Sequence, residues 1–531
     1  CRDFNFFICI ILNMSAIIEE VYKPRFNPWI VSIPIIGAAF MFVLDETIAN
    51  VALLHMAGSF SASREEALWI ITSYLIASGI VIPAVDWFCK LMGRKAFFMF
   101  SILLFVCSSF LCAISNSLAM MIFSRILQGL GGGALLPLAQ AILLENFSLK
   151  DRGKAMAVFG MVIVIAPIVG PVLGGYITDN FSWPGIFFIN IPIGLLTMLL
   201  IKILIDDPPY AKKQKNVRID TIGFFLLTVW LVTLQIILDK GNNADWFNAV
   251  WVRRMAIVSI ISCILFFISQ AKIKDSLVDL TVFRDRNFSV GTIVQVVVNL
   301  ILLASMAILP QFLQGLLGYN AYMSGVTMMP RGIGGVVSVI SCGLLSNKID
   351  NRLLLCFGLI LLALAGFELS NINFETSMSS IALPNFILGM GMGFSMVPSI
   401  ALSAATLSNS QMTNASGLQN LLKNIGGAIG TSISGTMIAR CSQMHQHYLV
   451  GNLSELNPVF TERLGTITSA IGQYTHISTA NYMAKGVLYK QLIAQSTLFG
   501  FVDTFRMFSI AAMIVIPAVF FLKNIDYKQN T

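Results

Sequence analysis

Stretches of about 20 or more mostly apolar residues recur along the whole chain, and no other feature limits its fold as strongly. A helix needs about that many to cross a hydrocarbon core of roughly 30 Å, where the backbone finds no water and must pair within the segment. About fourteen runs qualify. They lie near 29–54, 67–88, 95–115, 118–144, 153–178, 184–205, 219–238, 250–270, 288–316, 322–346, 353–371, 380–407, 413–438 and 503–524. With 56% hydrophobic and 11% charged residues and a mean hydropathy of +0.80, a soluble enzyme, a disordered chain and a fibre are excluded. The expected fold is an all-α membrane protein with 14 transmembrane helices.

The net charge of +8 does not mark a nucleic-acid partner, because the basic residues are scattered between the apolar runs. They act as topology signals. With a cytoplasmic N-terminus, Lys23, Arg25, Lys90, Arg94, Lys95, Lys150, Arg152, Lys154 and most of the later basic residues fall on the inner side, and far fewer fall outside. Both termini are therefore expected in the cytoplasm, as an even helix number also requires. Residues 1–27 form the cytoplasmic N-terminal segment, 28–206 an N-terminal six-helix bundle, 207–271 a two-helix insert and 272–531 a C-terminal six-helix bundle. Residues 1–13 are an apolar stretch with no cleavage site after it, so translation is expected to begin at Met14, which intact mass would test. The stretch Gly343–Arg352 has the shape of Asp86–Lys95, a repeat that suits two equivalent halves of an alternating-access transporter.

A long polar segment at about 440–502 lies on the periplasmic side in this topology. His445 and His447 diverge at i, i+2 on a helix, so the segment is expected to be an exposed amphipathic extension of the preceding helix and no metal site. The nine cysteines include no CxxC pair, which argues against a disulfide framework or zinc. Absence of GxxxxGK[ST] removes an ATP-binding P-loop, so uphill transport draws on an ion gradient. No catalytic group, metal or cofactor is assigned.

Charges within hydrocarbon are costly and mark function or pairing. Asp45 and Glu46 sit late in the first helix, with Asp45 about 25 Å from its start. Arg125 lies about 10 Å into the fourth run from the outer side, at a matching depth. Two readings of an Asp45–Arg125 pair stay open: a proton-coupling device, in which protonation of the acid releases the arginine, and a static buried salt bridge. Arg125, Gln128, Gly129 and Gly132 share one helix face. In the fifth run, Pro167 and Pro171 alternate with Gly170 and Gly174, which gives kinks and close helix contact. Arg331 and Lys423 sit about 15 Å deep, near the midplane. With Arg125 they outnumber the first-helix acids, so a cavity lined by them suits neutral or anionic amphipathic compounds and not dications.

Leu44–Leu53 (LDETIANVAL) resembles the first-helix signature of the fourteen-helix EmrB/QacA drug:proton antiporters of the major facilitator superfamily. Arg125–Gly129 resembles that superfamily's RxxQG motif and Gly170–Gly175 its antiporter motif; FFINIPIG, DLTVFRDRNF and GGAIGTS place the chain on the EmrB side. The resemblance implies two six-helix bundles plus two inserted helices, and proton-coupled multidrug efflux across the inner membrane. It also implies a periplasmic EmrA-like adaptor and an outer-membrane channel as partners. Proton coupling then falls to Asp45, Glu46 and Arg125. The substrate cavity falls to Asn50, Gln128, Arg331, Asn420 and Lys423, and the antiporter motif to Pro167, Gly170, Pro171, Gly174 and Gly175. The gating loop is Asp86, Lys90, Gly93, Arg94 and Lys95; it departs from the family pattern, with an acid for its first glycine and a lysine for its acid. Asp86 as partner of Arg94 or Lys95 would be a charge-swapped gate. Alternatives from other classes are an exporter of one metabolite, such as a fatty acid or siderophore, and a non-transporting ligand sensor.

Overall fold

The computed structural model describes residues 25–523, apart from 149–150, 209–210, 212, 214–219, 274–276, 320, 347 and 409–410. Met14 and the start of the chain lie outside the described residues, as do the side chains of Asn50 and Pro171 within their helices. Helices of eight residues or more are numbered in order. The first bundle holds α1 (Pro28–Ser59), α2 (Trp69–Val81), α3 (Val85–Met92), α4 (Arg94–Ala113), α5 (Leu118–Gly132), α6 (Leu135–Asn146), α7 (Arg152–Asn180) and α8 (Asn190–Leu204). The insert is α9 (Thr221–Lys240) and α10 (Val250–Lys272). The second bundle holds α11 (Arg286–Gly315), α12 (Ala321–Leu345), α13 (Asn351–Leu369), α14 (Met378–Ala404), α15 (Met412–Val450), α16 (Pro458–Gly472) and α17 (Ile477–Val519).

Two of the apolar runs are broken for identifiable reasons. Pro83 cannot donate to the helix ladder, so the second run passes from α2 to α3 through a 3-10 turn at Ile82–Ala84. The fourth run divides between α5 and α6 at Gly133–Ala134, at the end of a glycine-rich stretch of low helix propensity. Among the described residues, 13 helices are long and apolar enough to cross a membrane. The remaining expected span, α15, falls outside that number because Asn414, Gln419, Asn420 and Lys423 make its first half polar, and all four are buried. It then continues as one helix to Val450, and the last span is likewise the end of a 43-residue helix that begins at Ile477. The polar segment is therefore a helical hairpin, with α16 packed on α17, built on extensions of both flanking helices.

Contacts repeat between the halves. In the first bundle α5/α6 packs on α2 and α4, α1 on α7 and α8, and α4 on α8; in the second, α14 packs on α12 and α13, α11 on α15 and α17, and α13 on α17. Glycines repeat with them. A Cβ on Gly129 of α5 would stand 2.5 Å from the Tyr74 carbonyl of α2, and one on Gly389 of α14 would collide with the Arg331 carbonyl of α12. Gly131 meets the α4 backbone at Phe105 as Gly391 meets the α13 backbone at Leu362. Gly170 and Gly174 of α7 seat on Thr47 and Ile48, and Gly426 and Gly430 of α15 on Val296 and Leu300. Small residues let backbones close up where lipid gives no hydrophobic drive for helix association.

Helix direction puts the loops bearing Lys90, Arg94, Lys95, Arg152, Lys154, Lys348 and Arg352 at one end, called the basic end. There the halves close on each other. One apolar core runs from Val31 and Phe98 through Phe159 into Val339, Val397 and Leu418 of the second bundle. Gln140 of α6 donates to Gln419 at 2.8 Å and accepts from Asn420 at 3.0 Å, while Arg152 reaches the Ala404 carbonyl. The insert straddles the halves: Asp239 of α9 accepts from Thr72 of α2, and the Leu238 carbonyl accepts from Ser432 of α15. Its other helix, α10, presents Ile257, Ile260, Ile264 and Leu265 outward, the apolar face expected toward lipid.

Candidate functional site

Asp45 of α1 is fully buried, and four helices supply the groups around it. Arg125 of α5 donates from Nη1 to Asp45 Oδ2 at 2.6 Å. Gln128, one turn on, donates from Nε2 to Asp45 Oδ1 at 2.8 Å, and Asn190 at the start of α8 donates to the same oxygen at 2.7 Å. Ser109 of α4 accepts from both Gln128 and Asn190 and so fixes the two amides against each other. The guanidinium is held on its other edges as well. Its Nε donates to the Ile70 carbonyl at 3.1 Å, Nη1 also reaches Gln128 Oε1, and the plane lies 4.1 Å over the Tyr74 ring. Two buried charges outside water persist only with such compensation, and removing one partner of a pair like this costs roughly 3–5 kcal/mol.

The antiporter-motif glycines bring α7 onto α1 at Thr47 and Ile48, immediately past the carboxylate. Pro167 and Gly175 of the same helix are partly buried. Glu46 is also only partly buried, unlike Asp45.

The loop expected to gate is wired differently from that expectation. Asp86 pairs with Lys90 at 2.7 Å, one helical turn along α3, and not with Arg94 or Lys95. Gly93, at φ +88°, turns the chain between them, and Arg94 leaves that turn to pair with buried Glu145 of α6. The backbone N–H of Lys95, in the first turn of α4, donates to Asp207 Oδ1 at 2.9 Å, and Lys95 Nζ donates to the Lys202 carbonyl. Burial pushes the Asp207 carboxyl up from its usual value, opposed by that amide and by the charge of Arg94.

The expected cavity residues do not gather in one place. Gln128 is sealed in the Asp45 network, and Asn420 spends its amide on Gln140 and the Ser416 carbonyl at the seam between halves. Each amide is drawn to nearby polar groups in an apolar surround. Arg331 and Lys423 lie within the second bundle, 5% and 6% exposed. Lys423 lines a void with Gln295, Val298, Asn299, Leu302, Met392 and Met396, too small for a drug in this conformation, while Arg331 touches the Leu302 carbonyl and the Met392 sulfur. Sequence reasoning missed Asn190, Ser109 and Tyr74. Asn190 was legible as a lone amide in the apolar run FFINIPIG; the other two carried no signal of their own.

Residues 35–431 match the family model described as Major Facilitator Superfamily. The probable multidrug resistance protein EmrY of Escherichia coli is 33% identical, covering 93% of this chain and 95% of that protein. The multidrug export protein EmrB of Escherichia coli is 32% identical with the same coverage, and the fatty acid resistance protein FarB of Neisseria gonorrhoeae is 30% identical over 92% of this chain and 94% of its own. Among solved structures, the human organic anion transporter MFSD10 aligns with TM-score 0.62 at 13% identity over 93% of this chain and 100% of that one. A double-tryptophan XylE variant aligns with TM-score 0.62 at 12% identity over 95% and 98%.

Proposed function

The chain belongs to the Major Facilitator Superfamily, in its EmrB-like group, and from that membership we propose a proton-coupled exporter of hydrophobic, neutral or anionic amphipathic compounds. The observation that carries the reading is the buried Asp45–Arg125 pair with its two amide donors. Protonating Asp45 cancels the charge that holds the guanidinium, and Arg125 then turns to Gln128, the Ile70 carbonyl and the Tyr74 ring. Because α7 bears on α1 through Gly170 and Gly174, a shift of α1 passes directly to α7 and, through it, to α12 and α14 of the other half. Two halves with bistable contacts between them then alternate access. The basic end is cytoplasmic by the positive-inside rule, with both termini there and the protein in the inner membrane. The α15–α17 hairpin is then periplasmic, where an EmrA-like adaptor leading to an outer-membrane channel would dock. Fatty-acid export is the second reading, favoured by the similarity to FarB.

In inverted or right-side-out vesicles, addition of substrate is expected to dissipate an imposed pH gradient; a ligand sensor would leave it intact. A resistance profile of cells with and without the gene separates cargoes. Protection against weak acids and neutral amphiphiles should exceed protection against dications, and the reverse ranking would remove the cavity-charge argument.

Closure at the basic end gives a further expected result. A Cβ on Gly153 would stand 3.1 Å from Ser346 Cβ across the seam, within a few tenths of an ångström of disulfide range. The Gly153→Cys/Ser346→Cys pair should therefore form a disulfide under mild oxidation, halt transport and recover with reductant. Transport that continues in the cross-linked protein would show that this end does not open during the cycle.

A further inference from the structure

Asn190 opens α8 just past a break in the helix at Ile189, and its side chain is fully buried beside Asp45. Both hydrogens of its NH2 are engaged, on Asp45 Oδ1 at 2.7 Å and on Ser109 Oγ at 3.2 Å. Its own oxygen, Oδ1, is buried with no hydrogen-bond partner. Buried acceptors are rarely left bare, because the hydrogen bonds they gave up to water are then not replaced.

The contacts of Asp45 suit its ionised form alone. Oδ2 faces Arg125 Nη1 at 2.6 Å, and a guanidinium nitrogen only donates. Oδ1 faces the NH2 groups of Gln128 and Asn190. A proton on either oxygen therefore points at a donor unless one amide turns, and with Arg125 in place only Oδ1 has an amide beside it. Gln128 is held: its NH2 serves both Asp45 and Ser109, and its Oε1 takes Arg125 Nη1 at 2.6 Å and Cys112 Sγ at 3.7 Å. Asn190 is not, because a half-turn about its χ2 exchanges oxygen and NH2 in nearly the same volume. The titratable groups that act on the carboxylate are Arg125 of α5, Tyr74 of α2, Cys112 of α4 and its own neighbour Glu46. Helix α8 adds no charge there, since its one charged residue is Lys202 at the basic end, and α7 carries none between Ala155 and Thr178.

We infer that Asn190 is the positioning residue for the proton on Asp45: it donates to the carboxylate and turns its oxygen to accept from the carboxylic acid. One proton joins Oδ1 and no other covalent bond changes. Ser109, whose hydroxyl donates or accepts by rotation, follows the amide. One amide atom of Asn190 is without a partner in each state, so the swing is nearly balanced in hydrogen bonds and the proton decides it. Because α8 packs on α1 and α4, the swing registers the proton on three helices. The inference rests on Asp45 as the proton carrier of the proposed exporter.

Infrared difference spectra, acid minus alkaline, of the full-length protein in lipid bilayers test this without any cargo. A carboxylic acid C=O band that is lost in Asp45→Asn identifies protonated Asp45. In Asn190→Leu, which removes the acceptor at similar size, that band should move to higher wavenumber, since an acid O–H with no acceptor leaves its C=O stiffer. Asn190→Ser should bring it part of the way back. Wild-type protein grown with asparagine carrying carbon-13 at the side-chain carbonyl should show a labelled amide band that shifts with pH, and the shift should vanish in Asp45→Asn; this measurement leaves Asn190 intact and does not depend on how its variants fold. An Asp45 band unmoved in Asn190→Leu, or no labelled amide shift in the wild type, overturns the role of Asn190 and leaves Asp45 as the proton carrier. No Asp45 band at any pH overturns both.

Discussion

Proton-driven efflux is expected to fall to background in Asp45→Asn, with the protein still made and inserted. The substitution keeps the shape of the side chain and removes its charge, so Arg125 is left buried without the carboxylate it is hydrogen-bonded to. Removing one partner of a buried pair costs roughly 3–5 kcal/mol, and the remaining contacts of Arg125 with Gln128 and the Ile70 carbonyl place this case at the low end. Stability and transport should part company in the double variant. Asp45→Asn with Arg125→Gln removes both charges, so most of the lost thermal stability returns while substrate-dependent proton flux stays absent. A double-mutant cycle on melting midpoints measures the first, and fluorescence quenching in vesicles the second. Undiminished efflux in Asp45→Asn would take this carboxylate out of the mechanism.

The second large effect is steric. Gly129→Ala and Gly389→Ala each press a methyl group against the backbone of a neighbouring helix, at Tyr74 and at Arg331. Backbone cannot swing aside as a side chain can, so each should cost about 1–3 kcal/mol or more and lower the yield of folded protein in detergent. Gly325→Ala is the control: nothing stands within 4 Å of its Cβ, and in a helix the change should be neutral or slightly stabilising. Equal losses at all three glycines would mean that helix propensity and not close packing decides these positions.

The apolar runs made the class of fold legible, because bilayer thickness leaves few other solutions for such a pattern. Charge at depth made Asp45 and Arg125 legible for the same reason, since few residues of that type occur where they are costly. What lay hidden depended on three-dimensional neighbours. Ser109 and Tyr74 join the site only because α4 and α2 both pack on α5. Asp86 pairs with Lys90 at the i,i+4 spacing of a helix, a choice the sequence did carry, whereas Arg94 follows the left-handed turn at Gly93 to Glu145, which no periodicity encodes. The matched glycines at 129, 131 and 133 and at 389, 391 and 393 were in plain view as letters. Their equivalence emerges only when each is seen pressed on the corresponding helix of its own half.

One unbroken rod joins the protruding hairpin to the heart of the second bundle. Helix α17 runs 43 residues from Ile477 to Val519, about 64 Å, and holds α16 at one end and α11 and α13 at the other. A crowbar of that length has no joint in which to lose a tug. Whatever grips the hairpin from outside also leans on the membrane-buried bundle, so a bound partner and the transport cycle feel each other mechanically without any ligand passing between them.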